Sequence, residues 1–355
     1  MEMKTLPHPL ADPIAVRFAV LFAAAATLVV STSNTNADPV AELASFSVFG
    51  KVDPSQLTQS DIKAVRGAPM TTPRFLSVQI CYVTPGSPAQ TIEAMRKWNP
   101  GKHPELKVFL YNDFSGSPGA GTFARLQSAS INPAVRALVD KTQKLSTDLQ
   151  ISREEAKKFS PTEGTTGGGM PAAIAKFWSG VLAGRAQAFI SGGSSAQPPY
   201  DHTGQAIKPA EELAGLLRQQ PAIRKQFSGL IDSAGIGGGG GSLKPELYWE
   251  LLEVDTEGIL TLGASYRRGG GGGTYQAADV LYYASGGYNV SLTLYQLWPV
   301  DVGGRASTLV WRGNMVSSAA LASLRGIERM GAETSMIKDI SRVVSIFRRD
   351  TGGGR

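Results

Sequence analysis

One stretch limits the possible folds more than any other. It runs from Gly287 to Arg312 and reads YNVSLTLYQLWPV, then DVGG, then RASTLVWR. In the first arm Val290, Leu292, Leu294, Gln296 and Trp298 share one face, and Ser291, Thr293, Tyr295 and Leu297 the other. In the second arm Leu309 and Trp311 alternate with Thr308, Val310 and Arg312. Period-two alternation of β-branched and aromatic residues, closed by Gly-Gly, predicts an antiparallel hairpin with a tight turn. A hairpin of this kind requires a sheet to extend it and a core to cover it. It does not by itself specify a reaction.

The rest of the chain supplies both. RFLSVQICYV (74–83) reads as a strand, AQTIEAMRKW (89–98) as a helix and ELKVFLYNDF (105–114) as a second strand. That β-α-β order predicts two neighbouring parallel strands. Asn132 followed by Pro133 predicts a helix start, with Val135, Leu138, Val139, Thr142 and Leu145 as its apolar stripe. Another helix is expected over 172–190, and two short ones opened by Pro209 and Pro221. LYWELLEVDTEGILTLGASYRR reads as a hairpin turning at Thr256-Glu257-Gly258, although LKPELYWELL could equally start as a helix. Met336, Ile337, Ile340, Val343, Val344 and Phe347 form a helical stripe suited to covering the sheet. Ser60 to Val65 reads as a helical turn, and the glycine runs at 235–242 and 267–276 as loops.

The expected class is α+β. Residues 38–190 form an α/β-like unit containing the β-α-β, and 191–242 a linker and helical bridge. Residues 243–350 form an antiparallel sheet with the C-terminal helix packed on it. The 355 residues are 42% hydrophobic and 18% charged, so a sizeable core is available to these elements.

Residues 1–37 read as a signal peptide. The thirteen-residue apolar run FAVLFAAAATLVV (18–30) follows Lys4 and Arg17, and Thr35-Asn36-Ala37 resembles a cleavage site. The run is shorter than the roughly twenty residues a spanning helix needs. The expected location is therefore exported, periplasmic or extracellular. Contact with a membrane is expected only through this segment, if it is retained.

Common chemistries are poorly represented. The net charge of +6 is scattered, and no nucleic-acid partner is expected. A single cysteine, Cys81, rules out an intramolecular disulfide. Beyond the leader the histidines are His103 and His202, with no His-Glu-x-x-His motif, so no metal is expected. Gly119-Ala120-Gly121-Thr122-Phe123-Ala124 has the spacing of a dinucleotide fingerprint. The acid it requires, Asp140, falls inside a predicted helix, and no cofactor is expected.

Catalytic candidates are Asp113, Asp201 and His202, the last two adjacent in a polar loop. Glu250 and Glu253 differ in strand parity and would face opposite sides. The aromatic-rich second half offers Tyr295, Trp298 and Trp311 as ligand-binding candidates. The leading expectation is a non-catalytic exported binding or structural protein, with an envelope protein or glycan as partner. The alternatives are an exported hydrolase using a carboxylate or Asp-His pair, and a membrane-anchored assembly subunit.

Overall fold

Gly303 and Gly304 make the turn expected at DVGG, both at positive φ (61° and 75°). They bring Val302 opposite Arg305, and the pairing continues without a slip to Val290 opposite Ser317. Two consecutive left-handed residues match the twist of the flanking strands, and glycine adopts them without a Cβ clash. The computed structural model describes residues 38–58, 62–160, 169–238 and 240–352. The signal-peptide reading of residues 1–37 and the first two residues of the expected turn at Ser60 to Val65 lie outside them. Among the described residues no helix is long and apolar enough to cross a membrane.

The protein is α+β. Its strands are β1 (Lys63–Arg66), β2 (Phe75–Pro85), β3 (Val108–Phe114), β4 (Glu246–Val254), β5 (Glu257–Gly269), β6 (Tyr275–Ala284), β7 (Val290–Val302) and β8 (Arg305–Ser317). They form a single antiparallel eight-stranded sheet in the order β1-β2-β8-β7-β6-β5-β4-β3. Five of them, β4 to β8, are a meander. Asp255 and Thr256, both at positive φ, make the β4–β5 turn, one residue earlier than expected.

Three expectations are corrected. The strand–helix–strand order over 75–114 is present, but β2 and β3 lie at opposite ends of the sheet. β2 pairs with β8 and β3 with β4, so they are not parallel neighbours. Lys63–Arg66 is a strand, not a helical turn, because it pairs with Val78–Cys81. Strands from both expected units, 38–190 and 243–350, share the one sheet. Helices from 38–190 and from the 191–242 bridge share one core against it, so the boundaries at 190 and 242 separate no cores.

The helices are α1 (Pro39–Phe46), α2 (Pro88–Lys97), α3 (Pro133–Gln143), α4 (Arg153–Ala156), α5 (Ala172–Gly192), α6 (Pro209–Arg218), α7 (Pro221–Gln226), α8 (Ser228–Ala234), α9 (Ala319–Ser323) and α10 (Gly326–Asp350). Asn132 caps α3 by accepting from Val135 N at 2.9 Å, as the sequence predicted. Ser87 and Gln90 make a capping box for α2.

The parity of β7 divides the molecule. Val290, Leu292, Leu294 and Trp298 face a large core built with α1, α3, α5, α6, α7 and α8. Tyr295 and Leu297 face a smaller cluster with Val78, Ile80 and Val310, covered by Ile92 of α2 and by Ile340 and Val344 of α10. The sheet is thus covered on both faces. β7 is buried without a break from Val290 to Trp298, polar residues included.

Candidate functional site

A sheet covered on both faces ordinarily presents apolar side chains to each cover. Here the face beneath α2 and α10 carries Ser291, Thr293 and Tyr295 of β7, Arg312 and Asn314 of β8, and Asp279 of β6. Buried polar groups cost free energy unless they are paired. Their concentration has a structural counterpart in a cavity of about 410 Å³ that every strand from β2 to β8 lines. Seven strands laid flat would span about 29 Å at normal spacing, so the sheet curls around this space. A register shift between Leu262 and Gly263 in the β5–β6 pairing adds local twist beside it.

Side-chain bonds fix one wall. Arg312 Nε donates to Asn314 Oδ1 at 2.8 Å, and Asn314 Nδ2 donates to Thr293 Oγ1 at 2.8 Å. The Arg312 guanidinium lies 5.4 Å from the centre of the Tyr295 ring, a cation–π contact. Ser265 Oγ donates to Asp279, and the Tyr295 hydroxyl approaches the same carboxylate. On the other wall Tyr111 and Tyr248 stack at 5.7 Å, and Thr261 Oγ1 donates to Glu250 Oε2 at 3.3 Å. Gly263 stands opposite Tyr248, and a Cβ there would meet the Tyr248 Cζ at 2.1 Å. The missing side chain lets that ring lie across β5.

The rim is tied together by charge and ring contacts. Trp98 Nε1 donates to Asp350 Oδ2 at 2.8 Å, and His103 Nε2 lies 2.9 Å from the same oxygen. Trp98 also meets Phe347 edge-on at 5.8 Å, which joins the end of α2 to the last turns of α10. Arg267 donates to Glu246 Oε2 at 2.6 Å.

Burial governs the titration of this site. Desolvation raises the Glu250 carboxyl to about 7; the Thr261 bond opposes the shift and the neighbouring Asp279 charge adds to it. Asp279 is raised for the same first reason, and the Ser265 bond and the Arg267 and Arg312 charges pull it back. Burial holds the hydroxyls of Tyr248 and Tyr295 above the ordinary phenol range and raises Tyr82 to about 12.

The sign of the resulting pH dependence follows directly. The unfolded Glu250 carboxyl ionises near 4.5 and the folded one near 7. Between those values the folded state holds more protons, so stability falls as pH rises, by up to about 3 kcal/mol, and levels off above. Glu250→Gln is expected to remove this component and to exceed the wild type in stability at about pH 8. Urea melts of both proteins across that range check it; a wild-type-minus-variant difference that does not change with pH would reject it.

The candidates from sequence fall in different places. Tyr295 lines the cavity and is 7% exposed. Asp113 is at the exposed mouth, where it accepts from the Tyr111 hydroxyl at 3.0 Å. Asp201 Oδ1 accepts from Arg153 N at 2.9 Å at the start of α4, and His202 Nε2 lies 3.1 Å from Leu145 O. Neither lines the cavity, and they engage separate partners.

Trp298 and Trp311 belong to the opposite core. Trp311 packs on Phe46 and Phe227, and Trp298 Nε1 donates to Glu42 Oε2 at 2.9 Å, so neither offers a ligand any surface. Glu250, Asp279 and Arg312 were not singled out as site residues. The available signal was a charge placed mid-strand among apolar neighbours, as Asp279 is in YQAADVLYYA. Among the described residues no three His, Cys, Asp or Glu side chains are grouped to hold a metal ion.

Compared with protein-family models, curated proteins and solved structures, the chain matches none.

Proposed function

We propose that the protein binds a small, partly apolar molecule in the cavity between the curled sheet and helices α2 and α10. The observation that carries this reading is the gathering of half-buried Glu250, Asp279 and Arg312 with several tyrosines around one space of about 410 Å³, a volume within the ordinary range of ligand pockets. Leu252, Leu281 and Phe347 supply apolar wall between the polar groups. Export with loss of residues 1–37 remains part of the proposal and rests on the sequence pattern. An intact mass of the purified protein that still includes Met1 would remove that part and favour an anchored subunit.

A second reading, hydrolysis by a carboxyl pair, is supported by the Glu250 carboxyl titrating near neutrality, where one group can both give and take a proton. Glu250 and Asp279 would be that pair, in place of Asp113 or Asp201 with His202.

A fragment screen by ligand-observed NMR tests the first reading, with the hits also incubated and analysed for breakdown products. Hits are expected to lose at least about tenfold in affinity in Gly263→Ala, which drives the Tyr248 ring into the cavity. They are expected to weaken also in Ser291→Val, a smaller change to the cavity wall. Hits that bind both folded variants like wild type would place the ligand elsewhere and defeat the proposal. Product formation that stops in Glu250→Gln would favour the second reading.

A further inference from the structure

The deep groups of the cavity are unevenly matched. No ion pair within 4.0 Å joins Glu250 or Asp279 to a cation among the described residues, although both carboxyls are half-buried and line the cavity. Three guanidiniums line the cavity and all are already engaged, Arg96 with Glu93 at 2.9 Å. Arg267 is paired with Glu246, and Arg312 is held by Asn314 and the Tyr295 ring. Both lie beside Asp279, and neither forms an ion pair with Glu250.

The groups that face Glu250 are Tyr111 of β3, Tyr248 of β4, Thr261 of β5, Asp279 of β6 and Tyr288 of the β6–β7 turn. None of them is a cation. A second observation is independent of the acids. Tyr82 and Ser291 line the same cavity at 2% and 8% exposure, and neither hydroxyl bonds to another protein group. Both side chains are otherwise enclosed, so the cavity is the space in which these hydroxyls can find a partner.

We propose that the cavity is built for an organic amine. The ammonium sits against Glu250 and the tyrosine rings around it, and a compact apolar body lies along Leu252, Leu281 and Phe347. The proposal rests on the cavity being the ligand site. A cation supplies the missing partner for a desolvated carboxylate, and tyrosine faces attract the same charge. Acceptors on the ligand body would take the Tyr82 and Ser291 hydroxyls. Binding an ammonium draws Glu250 into its charged form, so affinity climbs with pH until Glu250 is ionised.

Three probes of one size and different charge test this on the purified full chain: phenethylamine, phenethyl alcohol and phenylacetate, titrated by calorimetry. Phenethylamine is expected to bind at least about tenfold more tightly than the alcohol at about pH 8. Its affinity is expected to drop about tenfold or more at about pH 5.5, while that of the alcohol does not fall. Glu250→Gln is expected to bring amine and alcohol within about threefold of each other. The wild-type pH series reads the same carboxylate without any substitution, should that variant not fold. Alcohol or phenylacetate binding as well as the amine would overturn the amine assignment and leave the cavity as a site. No binding by any probe would overturn both.

Discussion

Glu155→Ala is expected to cost the fold about 3–5 kcal/mol, the range for removing one partner of a buried ion pair. Arg185 of α5 is fully buried, and its Nη2 donates to Glu155 Oε2 at 2.6 Å. Its Nη1 donates to Pro198 O at 3.0 Å, while the guanidinium carbon lies 4.4 Å from the Tyr283 ring centre and 5.1 Å from that of Tyr200. Arg185 Nε has no hydrogen-bond partner, so this cation depends on the contacts just named. Glu155 also accepts from Ser152 N at 2.6 Å, which closes the capping box of α4. Without the carboxylate, α4, α5 and β6 meet around an unneutralised charge. Urea denaturation of Glu155→Ala, Arg185→Met and a Glu155→Leu/Arg185→Met double variant measures the effect. The double variant is expected to be more stable than Glu155→Ala, because it leaves no stranded charge. A Glu155→Ala loss below about 1 kcal/mol would show that solvent reaches Arg185.

Trp311→Ala is expected to lose a similar amount, about 3–5 kcal/mol, through the space it opens in the larger core. The ring meets Phe46 at 4.9 Å and Phe227 at 5.5 Å, and Nε1 donates to Gln79 Oε1 at 3.1 Å. Gly313 beside it has no room for a Cβ, which would fall 2.4 Å from the indole. The variant distinguishes two roles for this residue. A ligand-binding ring would lose affinity with little change in stability, whereas a core ring loses stability and leaves the cavity face intact. Denaturation midpoints and fragment binding measured on the same preparation separate the two; unchanged stability with lost binding would return Trp311 to the surface role.

Strand parity was legible where alternation was strong. The division of β7 into Leu292, Leu294 and Trp298 against Ser291, Thr293 and Tyr295 is the division between the two sides of the sheet. Parity also separated Glu250, which lines the cavity, from Glu253, which pairs with Lys107. What covers each side was not legible, because alternation says which residues share a face and nothing about its neighbours. A face with Ser291, Thr293, Arg312 and Asn314 resembles one turned to solvent, yet α2 and α10 roof it. Trp298 and Trp311 resemble binding rings until α1 and Phe227, at the junction of α7 and α8, are laid over them.

The partners of β2 and β3 were illegible for a related reason. Sequence adjacency favours pairing them with each other, but the whole β4–β8 meander stands between them, and α2 carries the chain across it from β2 to β3. Glu250 and Asp279 reach one cavity in the same way: one of three acids in β4 and the single acid of β6, they share its wall only once β5 pairs with both strands.

The pairing of β2 with β8 also has a consequence for how the chain is made. Phe75 meets Ser317, and Pro85 meets Ser307, so the second strand emerges from the ribosome long before its partner exists. The meander from β4 to β8 can assemble from nearby contacts, but sealing the sheet must wait for a loop of more than two hundred residues to close. Until then one side of β2 has only the short β1 beside it, and the other presents bare amide and carbonyl groups to any passing strand. Nascent chains halted before β8 are therefore the molecules most exposed to aggregation and to chaperone capture.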